Sequence, residues 1–63
     1  MGERLLKYYQ YVDGQKGLSG KIQLAQATKI PSVNAAMAPD SEDNLKRFRD
    51  EVTKITGKPA PVF

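Results

Sequence analysis

The glycines and lysines between Gly14 and Lys21 are the residues whose types and spacing come nearest to a known chemistry, the binding of phosphate. Backbone N–H groups of a glycine-rich loop that precedes a helix can hold an anion, and a nearby lysine can neutralise it. The spacing of a P-loop is not met, because five residues rather than four separate Gly14 from Gly20, and Ile22 stands where serine or threonine would hold magnesium. We therefore interpret this stretch as a flexible connection between two helices.

The residues that follow, 24–37, resemble part of a helix-turn-helix. The apolar and small positions of that motif are filled by Leu24, Ala25 and Ile30. Ser32 could cap a recognition helix whose first turn enters the major groove, and Asn34 is its best base-reading side chain. The candidates for contact with nucleic acid are three lysines for phosphates and two polar residues for bases: Lys16, Lys21, Lys29, Ser32 and Asn34.

The same residues have a simpler interpretation. Lys29 stands where the motif usually has a turn glycine, and the second helix would be short and poor in side chains that read bases. A helix, a turn at Pro31 and a second short helix that pack their alanines together would leave the same pattern. DNA binding through residues 16–37 is therefore the alternative function.

The chain contains few residues suited to catalysis or metal binding. The chain has no cysteine and no histidine, which removes thiolate and imidazole ligands and the usual base for a serine nucleophile. Most of the aspartates and glutamates lie in or near one helical segment, where such charges commonly serve capping and solubility. We expect a protein that is not an enzyme, with no catalytic residue, metal site, cofactor or small-molecule substrate.

Apolar and aromatic side chains at helical spacing are better candidates for an interaction surface. The segment from Ser41 to Gly57 carries four apolar residues at spacings of three and four, so they line one face that must be buried. Tyrosines of the first helix add large surfaces with a polar tip, and the apolar end of the tail could cover another surface. The interface candidates are Tyr8, Tyr11, Leu45, Phe48, Val52, Ile55, Val62 and Phe63.

Periodicity predicts an all-α fold in a single small domain, residues 1–63. The predicted bundle has three main helices, at about 3–13, 20–29 and 41–56. A short helical turn at about 33–37 precedes the last helix, and an extended proline-containing tail follows at 58–63. The predicted core is Leu5, Tyr8, Tyr9, Val12, Leu18, Ile22, Ala25, Ile30, Met37, Leu45, Phe48, Val52 and Ile55.

Capping residues mark the helix ends. Ser19 and Ser32 can cap the second helix and the short turn, Asp40 or Ser41 can cap the last helix, and Gly57 can end it. Charges four residues apart on the last helix predict the ion pairs Asp43–Arg47, Lys46–Asp50, Arg47–Glu51 and Asp50–Lys54.

The net charge of +3 is concentrated in the first half of the chain. No apolar run approaches the roughly 20 residues of a membrane span, so we expect no membrane association and a cytoplasmic location. A core this small is only marginally sufficient, and a homodimer would enlarge it. The leading hypothesis is a helical interaction module that binds itself or a larger protein through apolar helical faces.

Overall fold

The computed structural model describes residues 2–63, and within them the only regular secondary structure is α-helical. The helices are α1 (Glu3–Thr28), α2 (Ser32–Ala35) and α3 (Glu42–Thr56), and an extended tail follows α3. The predicted all-α class is confirmed. None of the helices in this part of the chain has a stretch both long and apolar enough to cross a bilayer.

α1 is a hairpin with a sharp corner at Gly17. A straight helix of 26 residues would measure roughly 39 Å at 1.5 Å per residue, whereas the longest dimension of the whole fold is 26 Å. Gly17 has φ 68° and ψ −152°, a conformation essentially restricted to glycine. We call residues 3–16 the first arm and residues 18–28 the second arm, and these arms correspond to the first two predicted helices.

The predicted flexible connection of residues 14–20 is therefore reduced to one residue. Gly14 lies inside the first arm, and the Ser19 hydroxyl, predicted to cap the second helix, donates instead to the carbonyl oxygen of Lys16 at 3.3 Å. Gly20 is buried at the corner, where a Cβ would lie 2.7 Å from both Val12 Cγ1 and Lys16 Cβ. Gly17 supplies the turn, and Gly20 allows the arms to approach each other.

The α1 hairpin and α3 form most of the core, and α2 adds Ala35. The buried apolar side chains of the core are Leu5, Tyr8, Tyr9, Val12, Leu24, Ala35, Leu45, Phe48 and Val52. Phe48 lies among the aromatic rings of the first arm, with ring centroids 5.7 Å from Tyr9 and 6.3 Å from Tyr8. The apolar stripe of α3 is thus buried within the chain itself.

Three predicted core residues are exposed instead. Leu18, Ile22 and Met37 keep 66%, 48% and 77% of their surface accessible. The second arm turns inward the face that carries Gly20, Leu24 and Thr28, because the missing side chain of Gly20 lets that face come close to Val12. The face that carries Leu18 and Ile22 consequently points away from the core.

The ends of the helices combine local and distant caps. The Ser41 hydroxyl accepts from the Asn44 N–H at 3.2 Å, and Gly57 ends α3 with φ 73°, as the sequence predicts. Asp40 caps α1 rather than α3, since its carboxylate accepts from the N–H groups of Arg4 and Leu5 at 3.3 and 3.4 Å. A negative charge at this position also complements the dipole of α1.

α2 is shorter than the predicted turn of residues 33–37 and begins at Ser32 rather than after it. Pro31 is its N-cap residue, and no side chain caps it. Its Ala35 packs directly on Gly2, where a Cβ would lie 1.4 Å from the Ala35 carbonyl oxygen. This close approach fixes α2 against the start of α1.

The tail docks on its own chain. The Tyr8 hydroxyl donates to the Pro61 carbonyl oxygen at 2.8 Å, and the ring of Phe63 packs edge-on against Tyr8 with centroids 4.8 Å apart. The Ala60 N–H donates to the Thr53 hydroxyl at 3.1 Å. The tail thereby covers part of the surface between α1 and α3.

The predicted ion pairs of α3 do not form. Within residues 2–63, the pairs closer than 4.0 Å are Lys21–Asp13 at 3.4 Å and Lys54–Glu51 at 3.5 Å. Neither has the predicted partners. The charges of the four predicted pairs stay apart, because a surface ion pair contributes little and must overcome side-chain entropy.

Candidate protein-binding groove

Most of the interface candidates lie inside the fold. Tyr8, Leu45, Phe48 and Val52 are buried in the core. Three further interface candidates, Tyr11, Ile55 and Phe63, are partly buried and pack against that core. Of the eight candidates only Val62, at 80% exposure, presents most of its side chain to solvent. The α3 stripe is therefore covered within a single chain.

The second arm exposes two large apolar side chains, Leu18 and Ile22. Leu18 and Ile22 are one helical turn apart, so their side chains are neighbours on one face. The sequence predicts both as core residues. The second arm has an alternative stripe of Gly20, Leu24 and Thr28, also spaced four apart. That stripe is the sequence feature which could have shown that Leu18 and Ile22 face away from the core.

A groove runs beside these two side chains, between the arms and the start of α2. One part, of about 200 Å³, is lined by Leu18 and Ile22 of the second arm, and the other, of about 190 Å³, is lined by Leu6, Gln10 and Asp13 of the first arm. The two parts share Tyr9, Lys21 and Ser32, so they adjoin. We call this depression the arm groove; it is lined by Leu6, Tyr9, Gln10, Asp13, Leu18, Lys21, Ile22, Ala25, Pro31 and Ser32.

The groove carries one ion pair and no other charged side chain. The Lys21 ammonium lies 3.4 Å from the Asp13 carboxylate, and both side chains remain partly exposed. Such a pair contributes little to stability, which leaves both groups free to exchange partners.

The floor of the groove includes a neutral tyrosine. Burial raises the pKa of the Tyr9 hydroxyl, and a hydrogen bond with Thr28 acts in the opposite direction. The same hydroxyl donates to the carbonyl oxygen of Ile30, which ties the first arm to the segment that follows the second arm. Tyr9 thus serves as a structural link beneath the groove and adds no charge to it.

The arrangement is suited to noncovalent binding. Apolar walls can bury apolar side chains of a ligand, and a few polar groups can orient it. Within residues 2–63, no cluster of three or more acidic side chains is placed to hold a metal ion. The side chains that line the groove offer apolar contact, hydrogen bonding and ion pairing.

The nucleic-acid candidates are arranged around the same region. Lys21 and Ser32 line the groove, and Lys29 ends α1 in the left-handed conformation with φ 60°. Lys16 adjoins the corner, and Asn34 is exposed on α2. α2 has only four residues, roughly 6 Å of helix, which is short for insertion along a major groove.

Comparisons of this chain with protein-family models, with curated proteins and with solved structures found no match.

Proposed function

We propose that this chain is a non-enzymatic, cytoplasmic protein-interaction module that binds a larger protein through the arm groove. The observation that supports this is the exposure of Leu18 and Ile22, at 66% and 48%, beside a groove with other apolar lining. Two neighbouring exposed aliphatic side chains beside a concave, largely apolar surface provide apolar area that a partner can bury.

The rest of the fold strengthens the argument because it does not need these two side chains. The core is formed by Leu24 from the second arm together with residues of the first arm, α2 and α3. Burying the exposed parts of Leu18 and Ile22 against a partner would contribute roughly 1–2 kcal/mol each, in proportion to the area removed from water. That contribution is available only on binding.

Self-association is the other form of the proposed interaction. A homodimer could bury the apolar stripes of the first and last helices, but in this fold those stripes pack against each other within one chain. A symmetric dimer through the arm groove would bring together two copies of a surface with Lys16, Lys21 and Lys29 but only Asp13, and this excess of like charge is unfavourable. We therefore favour a different protein as the partner. Sedimentation over a wide concentration range should show a monomer, and a dimer lost on Ile22→Ser would contradict this choice.

The decisive experiment compares three forms of the full chain as bait in an extract of the source cell. The double variant Leu18→Ser/Ile22→Ser removes the anchors, and Val62→Ser removes an equally exposed apolar side chain outside the groove. A captured protein should be purified and its Kd measured by calorimetry. We expect the double variant to weaken binding by at least about tenfold and Val62→Ser to leave it unchanged. Equal binding to all three forms would refute the proposal.

A further inference from the structure

We infer that the segment bound in the arm groove is an amphipathic helix with an apolar stripe and an acidic flank. This inference rests on the proposed function and specifies its partner. It follows from the shape of the groove and from the charges around it, which are independent observations.

The apolar residues of the second arm set the length and form of the ligand. Leu18, Ile22 and Ala25 follow the spacing of a helical stripe and extend over roughly 10 Å, or about two turns. A helix whose own apolar residues recur at the same spacing can lie along such a stripe, as in the helix-in-groove mode of recognition. Its side chains would enter the depression between the arms.

Two other modes of peptide recognition fit less well. Addition of a β-strand requires an exposed sheet edge, and the groove walls are helices whose backbone groups are bonded internally. Recognition of a polyproline helix uses exposed aromatic rings as a platform, whereas Tyr9, the aromatic residue in the groove, keeps only 3% of its surface accessible. A helical ligand is therefore favoured.

The charge at the groove favours an acidic partner. Lys21 lies within the groove, and Lys16 and Lys29 lie just outside the two ends of the second arm, against one carboxylate from Asp13. Three lysines against one aspartate leave an excess of two positive charges. Carboxylates on the flank of a bound helix would pair with Lys21 and be attracted by the other two lysines.

This partner uses both features of the site. A duplex DNA would be attracted by the same lysines but would leave Leu18 and Ile22 without an apolar contact in the phosphate backbone. A second copy of the chain would match the apolar residues but not the charge. An acidic amphipathic helix satisfies the two requirements together.

The test is a selection from a display library of randomised helical peptides, with the full chain as target. We expect enriched peptides to carry apolar residues four apart and a net negative charge. Their affinity for the unaltered chain should fall with added salt, because salt screens the attraction to the lysines. Lys21→Glu should lower the affinity about tenfold, and Leu18→Ser/Ile22→Ser should abolish binding. Lys46→Glu reverses the charge of an exposed lysine on α3 and should leave the affinity within about twofold.

The outcomes separate this inference from the proposed function. Neutral or basic peptides that depend on Leu18 and Ile22 would overturn the acidic character and leave the interaction surface standing. Peptides that bind independently of these residues, or the absence of any enriched peptide, would count against both. Salt-sensitive binding of duplex DNA that Lys21→Glu weakens and Leu18→Ser/Ile22→Ser does not would overturn the inference in favour of nucleic acid.

Discussion

Two glycines of α1, Gly14 and Gly20, have opposite surroundings although both lie within a helical arm. A Cβ at position 14 would have no neighbour within 4 Å, whereas a Cβ at position 20 would lie 2.7 Å from Val12 and Lys16. Glycine in a helix costs about 0.5–1 kcal/mol relative to alanine. Alanine would fit at position 14 and would remove that cost. At position 20 a side chain would clash, so glycine is required for the arms to pack together.

We predict that Gly14→Ala stabilises the fold by about 0.5–1 kcal/mol and that Gly20→Ala destabilises it by about 1–3 kcal/mol through overpacking. In a domain of this size, 1 kcal/mol corresponds to a shift of about 4–8 °C in Tm. Thermal unfolding followed by circular dichroism would measure both. Each glycine serves as the control for the other, and an equal rise in Tm for the two variants would contradict the close approach at the corner.

At the scale of elements, α1 begins with a cap supplied from a distant part of the chain. Asp40 accepts from the N–H groups of Arg4 and Leu5, whereas the next residue, Ser41, caps α3. Two consecutive residues thus fix the starts of two helices. The loop before α3 thereby sets how α3 enters the bundle relative to α1.

We predict that Asp40→Ala costs about 0.5–2 kcal/mol, the range for loss of an N-cap. Asp40→Asn should cost less, because the amide oxygen still accepts a hydrogen bond while the charge on the helix dipole is lost. The midpoint of urea unfolding would report these differences. Asp50→Ala, at an exposed position inside α3, should change stability by no more than about 0.5 kcal/mol. Equal effects at both positions would show that the distant cap is not formed.

The sequence predicts α3 well because all of its signals are local. The N-cap Ser41, the apolar stripe and the C-cap Gly57 lie within one segment, so their effects depend only on residues close by in the chain. The second arm carries two competing stripes, one through Leu24 and one through Ile22. Contact of Gly20 with Val12 decides between them, and this contact joins residues on opposite sides of a corner that only Gly17 marks. The arm groove could not be predicted, since it depends on which stripe turns inward.

At the scale of the whole molecule, the tail closes the fold over the aromatic residues of the first arm. Phe63 contacts Tyr8 and Tyr11, with ring centroids 4.8 and 6.5 Å apart. Lys58 donates to the side-chain oxygen of Gln15 at 2.8 Å, so the start of the tail is also held. A chain of 63 residues has little core to spare, and this covering adds apolar burial that the three helices alone do not provide.

We predict that Tyr8→Phe, which removes the bond to Pro61, costs about 0.5–1.5 kcal/mol, and that Phe63→Ala costs about 1–2 kcal/mol. Both changes act on the docking of one segment. Once the tail is released by the first change, the second has less to remove, so the double variant should lose at least about 0.5 kcal/mol less than the sum. Urea unfolding of the two single variants and the double variant would measure this coupling.

Val62→Ala, in the same segment but exposed, should have an effect below about 0.5 kcal/mol. Strict additivity would mean that Tyr8 and Phe63 stabilise the fold independently and that the tail does not dock as a unit.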